Sequence, residues 1–186
     1  MKDIIIPKVP AEFGNKTFGE SDIKWIKTVN DPDTSSAYLP PDLPYKRVIT
    51  NVDGIFFCLQ INPRFSKSLE GVAVGELILI YQRLDNQKTK CFTHLVTPID
   101  PNSKVIQSPY GPNSGWPGRW VKVIAMTANK ANNSIPLAST IWQTMGFTGQ
   151  HHDLSYRDGR VREIDRNQNI TTSQLTALKK DIWGKF

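Results

Sequence analysis

Cysteine is scarce: the 186 residues contain two, Cys58 and Cys91. Both sit in apolar runs and neither belongs to a CxxC pair, which excludes a disulfide-stapled scaffold and a Cys-rich zinc module. They read as two reduced, buried thiols. Histidine is scarce as well: of three, His151 and His152 are adjacent and His94 stands alone in a strand-like run. No apolar run approaches the length of a membrane span. The apolar stretch of MKDIIIPKVP is too short for a signal peptide and is broken by proline. A soluble, intracellular chain is expected, cytoplasmic or, in a eukaryote, nuclear, with no membrane partner. GxSxG, P-loop, HExxH and GxGxxG patterns are all absent, which removes the common hydrolase, nucleotide and zincin signatures.

What is present suits one domain with a real core. Apolar residues are 39% of the chain and charged ones 22%, ordinary values for a globular protein. The net charge is +6, and its distribution says more than its size. Between positions 88 and 130 stand Lys88, Lys90, Lys104, Arg119, Lys122 and Lys130 against the single acid Asp100. Arg157, Arg160, Arg162 and Arg166 follow. These stretches could receive a phosphate backbone.

Residues 1–46 differ from the rest, holding six of the thirteen prolines. Proline fixes φ and removes a donor, so this stretch reads as an extended arm. The arm could dock a protein partner. Within it a short helix is expected over Ser21 to Val29, with Ser21 as N-cap and Trp25 as apolar anchor. The domain proper, 47–186, reads mainly as strands: Gly54–Asn62, Gly75–Leu84, Thr89–Pro98 and Arg119–Met126. A connection or short helix is expected over Pro63–Leu69, and a long loop over 101–117. A short helix over Ile135–Met145, a hairpin at Asp158-Gly159 and a helix over Ser173–Trp183, capped by Ser173, complete the reading. The fold class is α+β: a small, mostly antiparallel β-barrel flanked by helices.

The segment SPYGPNSGWPGRWVKV, Ser108 to Val123, places Tyr110 and Trp116 in a Gly/Pro/Asn loop that feeds a basic strand. An aromatic held near cations is a platform for a nucleobase, worth about 1–3 kcal/mol per stacked base. The alternative is that Trp116 and Trp120 cover one end of the barrel. Trp120, inside the alternating strand, suits the core.

The run Trp116-Pro-Gly-Arg119-Trp120-Val-Lys-Val123 resembles the W-x-G-R-F-x-V segment of YTH domains. Ser155-Tyr-Arg157-Asp158-Gly-Arg-Val-Arg-Glu163-Ile resembles their S-R-D-G-Q-E-I stretch. EVE domains share this PUA-like fold and fit equally. The likeness covers residues 54–183 and implies a reader of a modified base, N6-methyladenine or a modified cytosine, in RNA or DNA. It makes Trp116 one wall of an aromatic cage and Tyr110 a second. Asn62 and Asp158 would read the base edge, and Arg119, Lys122, Arg157 and Arg160 would hold phosphates. No cofactor is implied. Two rival functions stand beside it. His151-His152-Asp153 with nearby carboxylates could serve a small nuclease or base-modifying enzyme, although adjacent histidines diverge and rarely chelate one ion. The proline-rich arm could mark a protein-interaction domain.

Overall fold

The computed structural model describes residues 8–11, 16–29, 49–83, 90–109, 116–126, 160–164 and 171–186. Among these residues eight strands form one sheet: β1 Ile23–Val29, β2 Ile49–Asn51, β3 Gly54–Gln60, β4 Leu77–Arg83, β5 Lys90–Pro98, β6 Ile106–Gln107, β7 Pro117–Met126 and β8 Val161–Glu163. The order is β2-β3-β7-β5-β4-β1-β8, with β6 also on β7. Only β1 and β4 run parallel among these pairs. Two helices, α1 Ser66–Glu70 and α2 Thr172–Trp183, complete the described elements beyond single 3-10 turns.

The α+β class holds, but the sheet is open rather than a barrel. Closure needs the two edge strands to pair. Here the edges β2 and β8 are three residues each, and among the described residues each pairs only inward.

Residues 23–29 are a strand, not the expected helix. Ile23, Ile26 and Val29 fit a helical stripe, yet β1 is flanked by β4 on one side and β8 on the other. Residues Ile26 to Val29 are all buried, as in a strand covered on both faces, where no period-2 signal survives. Glu76 fastens this strand: its carboxylate accepts from Lys24 Nζ and from Trp25 Nε1, both at 2.7 Å. A stretch assigned to the arm is therefore an interior strand of the sheet.

The four strands expected from sequence are present as β3, β4, β5 and β7, with ends shifted by up to two residues. Residues 63–70 form the expected short helical connection. The last helix is capped by Thr171, two residues before the expected Ser173, through a reciprocal bond pair with Gln174. The expected elements over 135–145 and 158–159 lie outside the described residues.

Alternation along the strands divides the core. Phe57, Leu59 and Ile61 join Ile78, Ile80, Val96, Val121 and Leu69 of α1. Leu77, Leu79 and Tyr81 face the other way, onto Leu178 and Ile182 of α2. The even residues of β3 and β7, Phe56, Cys58 and Trp120, form a smaller cluster with Ile99, against which Val9 packs. Trp120 is thus the core residue its strand position implied.

Candidate nucleic-acid interface

The site is built where β3 ends and β7 begins. The antiparallel register of these strands pairs Gln60 with Gly118. One step further, Ile61 N–H donates to Pro117 O at 2.8 Å, so Asn62 falls opposite Trp116. On the other flank of β7, Gln107 pairs with Pro117, and Ser108 N–H donates to Trp116 O at 3.3 Å. Trp116 is therefore framed by Asn62 and Ser108. Its side chain is 47% exposed, a large apolar surface left in water.

Next to Trp116 along β7 is a polar bond that depends on Gly118. Gln60 Nε2, from β3, donates to Ser108 Oγ, beyond β6, at 2.8 Å. That bond crosses β7 at the position with no side chain. A Cβ on Gly118 would sit 2.6 Å from Cys58 Sγ and 2.8 Å from Leu59 O, so the two strands approach as closely as glycine alone allows. Cys58 is a buried thiol in no disulfide. Burial pushes its pKa up to about 12, a hydrogen bond with Ser108 opposing. A thiol held protonated in this way is a poor nucleophile, and Cys58 packs with Phe56, Ile99 and Trp120.

Asn62 turns the chain. Its Oδ1 accepts from Arg64 N–H at 3.0 Å and caps the turn Pro63–Phe65, the local bond that Asn-Pro sequences favour. Arg64 and Lys67 follow, both exposed. Arg160, exposed at the entry to β8, lies with its guanidinium carbon 4.2 Å from the Phe65 ring centroid. Ser68 Oγ ties these segments, donating to Phe65 O at 2.7 Å and accepting from Val161 N–H at 3.2 Å.

Arg119 does not face solvent, and this corrects its assignment to phosphate. It shares the strand parity of Val121, on the packed face, and is 1% exposed. Its Nη1 donates to Leu69 O and Val72 O at 2.8 Å each, and its Nη2 to Asp100 O at 3.0 Å. Burial draws its pKa below the usual guanidinium range, the Asp100 and Glu70 carboxylates opposing. Arg119 is a brace joining the loop after α1 to the turn after β5.

Lys122 pairs with Phe56 at the far end of β3, and its stem lies against Gly54, a residue at φ +128°. Six residues of extended chain separate it from Trp116, about 20 Å. The structure thus brings Asn62, Trp116 and Arg160 to one end of the sheet and leaves Lys122 at the other. Tyr110, Asp158, Arg157, His151 and His152 lie outside the described residues.

His94 is a packed residue. It is 1% exposed, its Nδ1 lies 2.9 Å from Thr93 Oγ1, and its ring meets Phe57 edge-on. Burial lowers its pKa to about 3, so it is neutral at ordinary pH. Among the described residues no group of three His, Cys, Asp or Glu side chains could hold a metal, and no helix is long and apolar enough to cross a membrane.

Gln60, Ser108, Arg64 and Lys67 were not anticipated as site residues. Gln60 and Asn62 share a strand face, so alternation already paired them. The contribution of Ser108 depends on the β6–β7 register, which no local pattern reveals.

No known protein family matches the sequence, and no curated protein does. Two solved structures are similar in fold. One is human THYN1 in complex with DNA containing 5-methylcytosine: 12% identity, TM-score 0.43, covering 84% of this chain and 96% of that one. The other is a hypothetical protein from Leishmania major: 13% identity, TM-score 0.46, covering 88% and 98%. At that distance the likeness assigns no chemistry to this chain.

Proposed function

We propose that this chain is a nucleic-acid-binding module that seats a flipped-out, modified base against Trp116. The observation that carries the reading is the half-exposed Trp116, held at a three-strand junction whose neighbouring strands carry Gln60, Asn62 and Ser108. A methylated base gains there by dispersion and by leaving water. Its remaining polar edge needs partners, since an unpaired buried donor or acceptor is costly. Asn62 supplies one: Oδ1 is committed to Arg64 N–H, and the amide Nδ2 donates to a ring acceptor. In the same reading Tyr110 forms a second cage wall, Asp158 accepts from the base edge and Arg157 contacts phosphate, as the sequence resemblance implies.

In this reading the chain binds; the His151-His152 pair of the enzymatic alternative lies outside the described residues, and neither His94 nor Cys58 is a candidate for it. His94 is buried and neutral, and Cys58 is held as a thiol.

The test is a screen of oligonucleotides containing N6-methyladenine, 5-methylcytosine or plain bases, single-stranded and duplex, at two salt concentrations. The expected result is a preference for one modified base at both salts. Equal affinity for every modified and plain oligonucleotide would reject the base-reading site.

A further inference from the structure

We infer that the phosphate backbone runs past the α1 edge of the site, held by Arg64, Lys67 and Arg160, and not along the Lys122 end of β7; this rests on the nucleic-acid reading above. The three cations come from distant parts of the sequence but are fixed around one segment. Asn62, opposite Trp116, opens that segment. Arg64 N–H is bound by Asn62 Oδ1, so the backbone carrying this cation is anchored to a base-contacting residue. Phe65 N–H donates to Asn62 O at 2.8 Å, which orients the ring that Arg160 covers at 4.2 Å. Ser68 then locks the start of β8 to the same turn. Arg64, Lys67 and Arg160 are all exposed.

Among the described residues, two acids close to α1, Glu70 and Asp100, are engaged elsewhere. Glu70 Oε1 accepts from Val105 N–H at 3.4 Å, and both Glu70 and Asp100 lie close enough to Arg119 to act on its charge. A guanidinium held over an aromatic ring by a cation–π contact has its position fixed at this edge. A strand whose base enters beside Trp116 needs its neighbouring phosphates within one or two nucleotides of that point. Arg64 opens this edge two residues after Asn62, itself opposite Trp116, whereas Lys122 lies about 20 Å along β7.

The experiment measures affinity against salt for the preferred oligonucleotide. For single strands the log–log slope changes by about 0.7 per phosphate contact. The triple variant Arg64→Gln, Lys67→Gln, Arg160→Gln is expected to have a slope about 2 shallower than wild type. The pair Arg64→Lys, Arg160→Lys, which keeps the charges, is expected to hold the slope and so separates charge from folding. An unchanged slope in the triple variant, or an equal loss on Lys122→Gln alone, would overturn the inference while a retained modified-base preference leaves the reader intact. Loss of slope in a protein with no base preference supports the phosphate edge and rejects the reader. Absence of any salt-dependent binding overturns both.

Discussion

Replacing Gly118 by alanine probes the site through one methyl group. The added Cβ would lie 2.6 Å from Cys58 Sγ and 2.8 Å from Leu59 O. The sulfur could rotate aside; the carbonyl is strand backbone and cannot move without parting β3 from β7. Overpacking of this kind costs about 1–3 kcal/mol. For a chain of this size that corresponds to a fall in Tm of roughly 2–12 °C. Parting the strands also separates Asn62 from Trp116 and interrupts the Gln60–Ser108 bond that crosses position 118, so oligonucleotide affinity should fall with stability. Calorimetry and a binding titration on the purified variant measure both. The double variant Gly118→Ala, Cys58→Ala removes the sulfur contact but not the carbonyl one, so it should recover only part of the loss. A Gly118→Ala protein that melts within a degree of wild type and binds normally would refute the close-approach argument.

Two further perturbations test the packing around the site. Arg119→Ala removes three guanidinium hydrogen bonds, to the carbonyls of Leu69, Val72 and Asp100, although Leu69 O and Asp100 O keep backbone donors from Val72 and Ser103. The expected cost is about 3 kcal/mol or more, read as a lower urea midpoint; an unchanged midpoint would show that Arg119 is no brace. His94 has its pKa lowered to about 3 in the folded chain from an ordinary 6.5. The unfolded chain therefore takes up a proton first, so this contribution to stability is complete above pH 6.5 and is lost as pH falls towards 3. The slope approaches about 1.4 kcal/mol per pH unit in that window, and urea titrations from pH 7 to 4 should show it shrinking in His94→Leu. Glu76 is desolvated, which alone would raise its pKa, but bonds from Lys24, Trp25 and Ala73 outweigh that and hold it below its ordinary value. Its contribution is lost only as pH falls through the ordinary carboxylate range and below, so it leaves the upper part of the His94 window untouched.

Strands with one strong apolar signal were legible in the sequence. GIFFCLQIN and GELILIYQRL carry unbroken β-prone runs and emerge as β3 and β4, and the α2 face of Leu175, Leu178 and Ile182 follows helical spacing. The segment IKWIKTV misled because a strand buried on both faces loses its alternation, while Ile23, Ile26 and Val29 imitate a helical stripe. Its partners, β4 and β8, lie about 50 and 135 residues away, beyond any local pattern. Arg119 misled for a related reason. Trp120 and Val121 are both apolar, so the run WPGRWVKV does not say which face of β7 is outside. Packing against α1 decides it, and turns the guanidinium inward. The open sheet, too, is a property of which strands meet, not of any one strand's residues. In the site, Trp116 and Asn62 were readable as an exposed aromatic and a strand-ending polar residue. The polar bond between Gln60 and Ser108 arises from strand register alone.

The most direct measurement compares wild type, Trp116→Ala and Trp116→Phe for affinity to the preferred modified oligonucleotide and its plain counterpart. Loss of an indole stack of about 1–3 kcal/mol predicts that alanine abolishes the preference, weakening modified-base binding roughly 5- to 150-fold while residual salt-dependent binding persists. Phenylalanine should retain part of the preference. An alanine variant that still distinguishes the two oligonucleotides as wild type does would contradict a base seated on this indole.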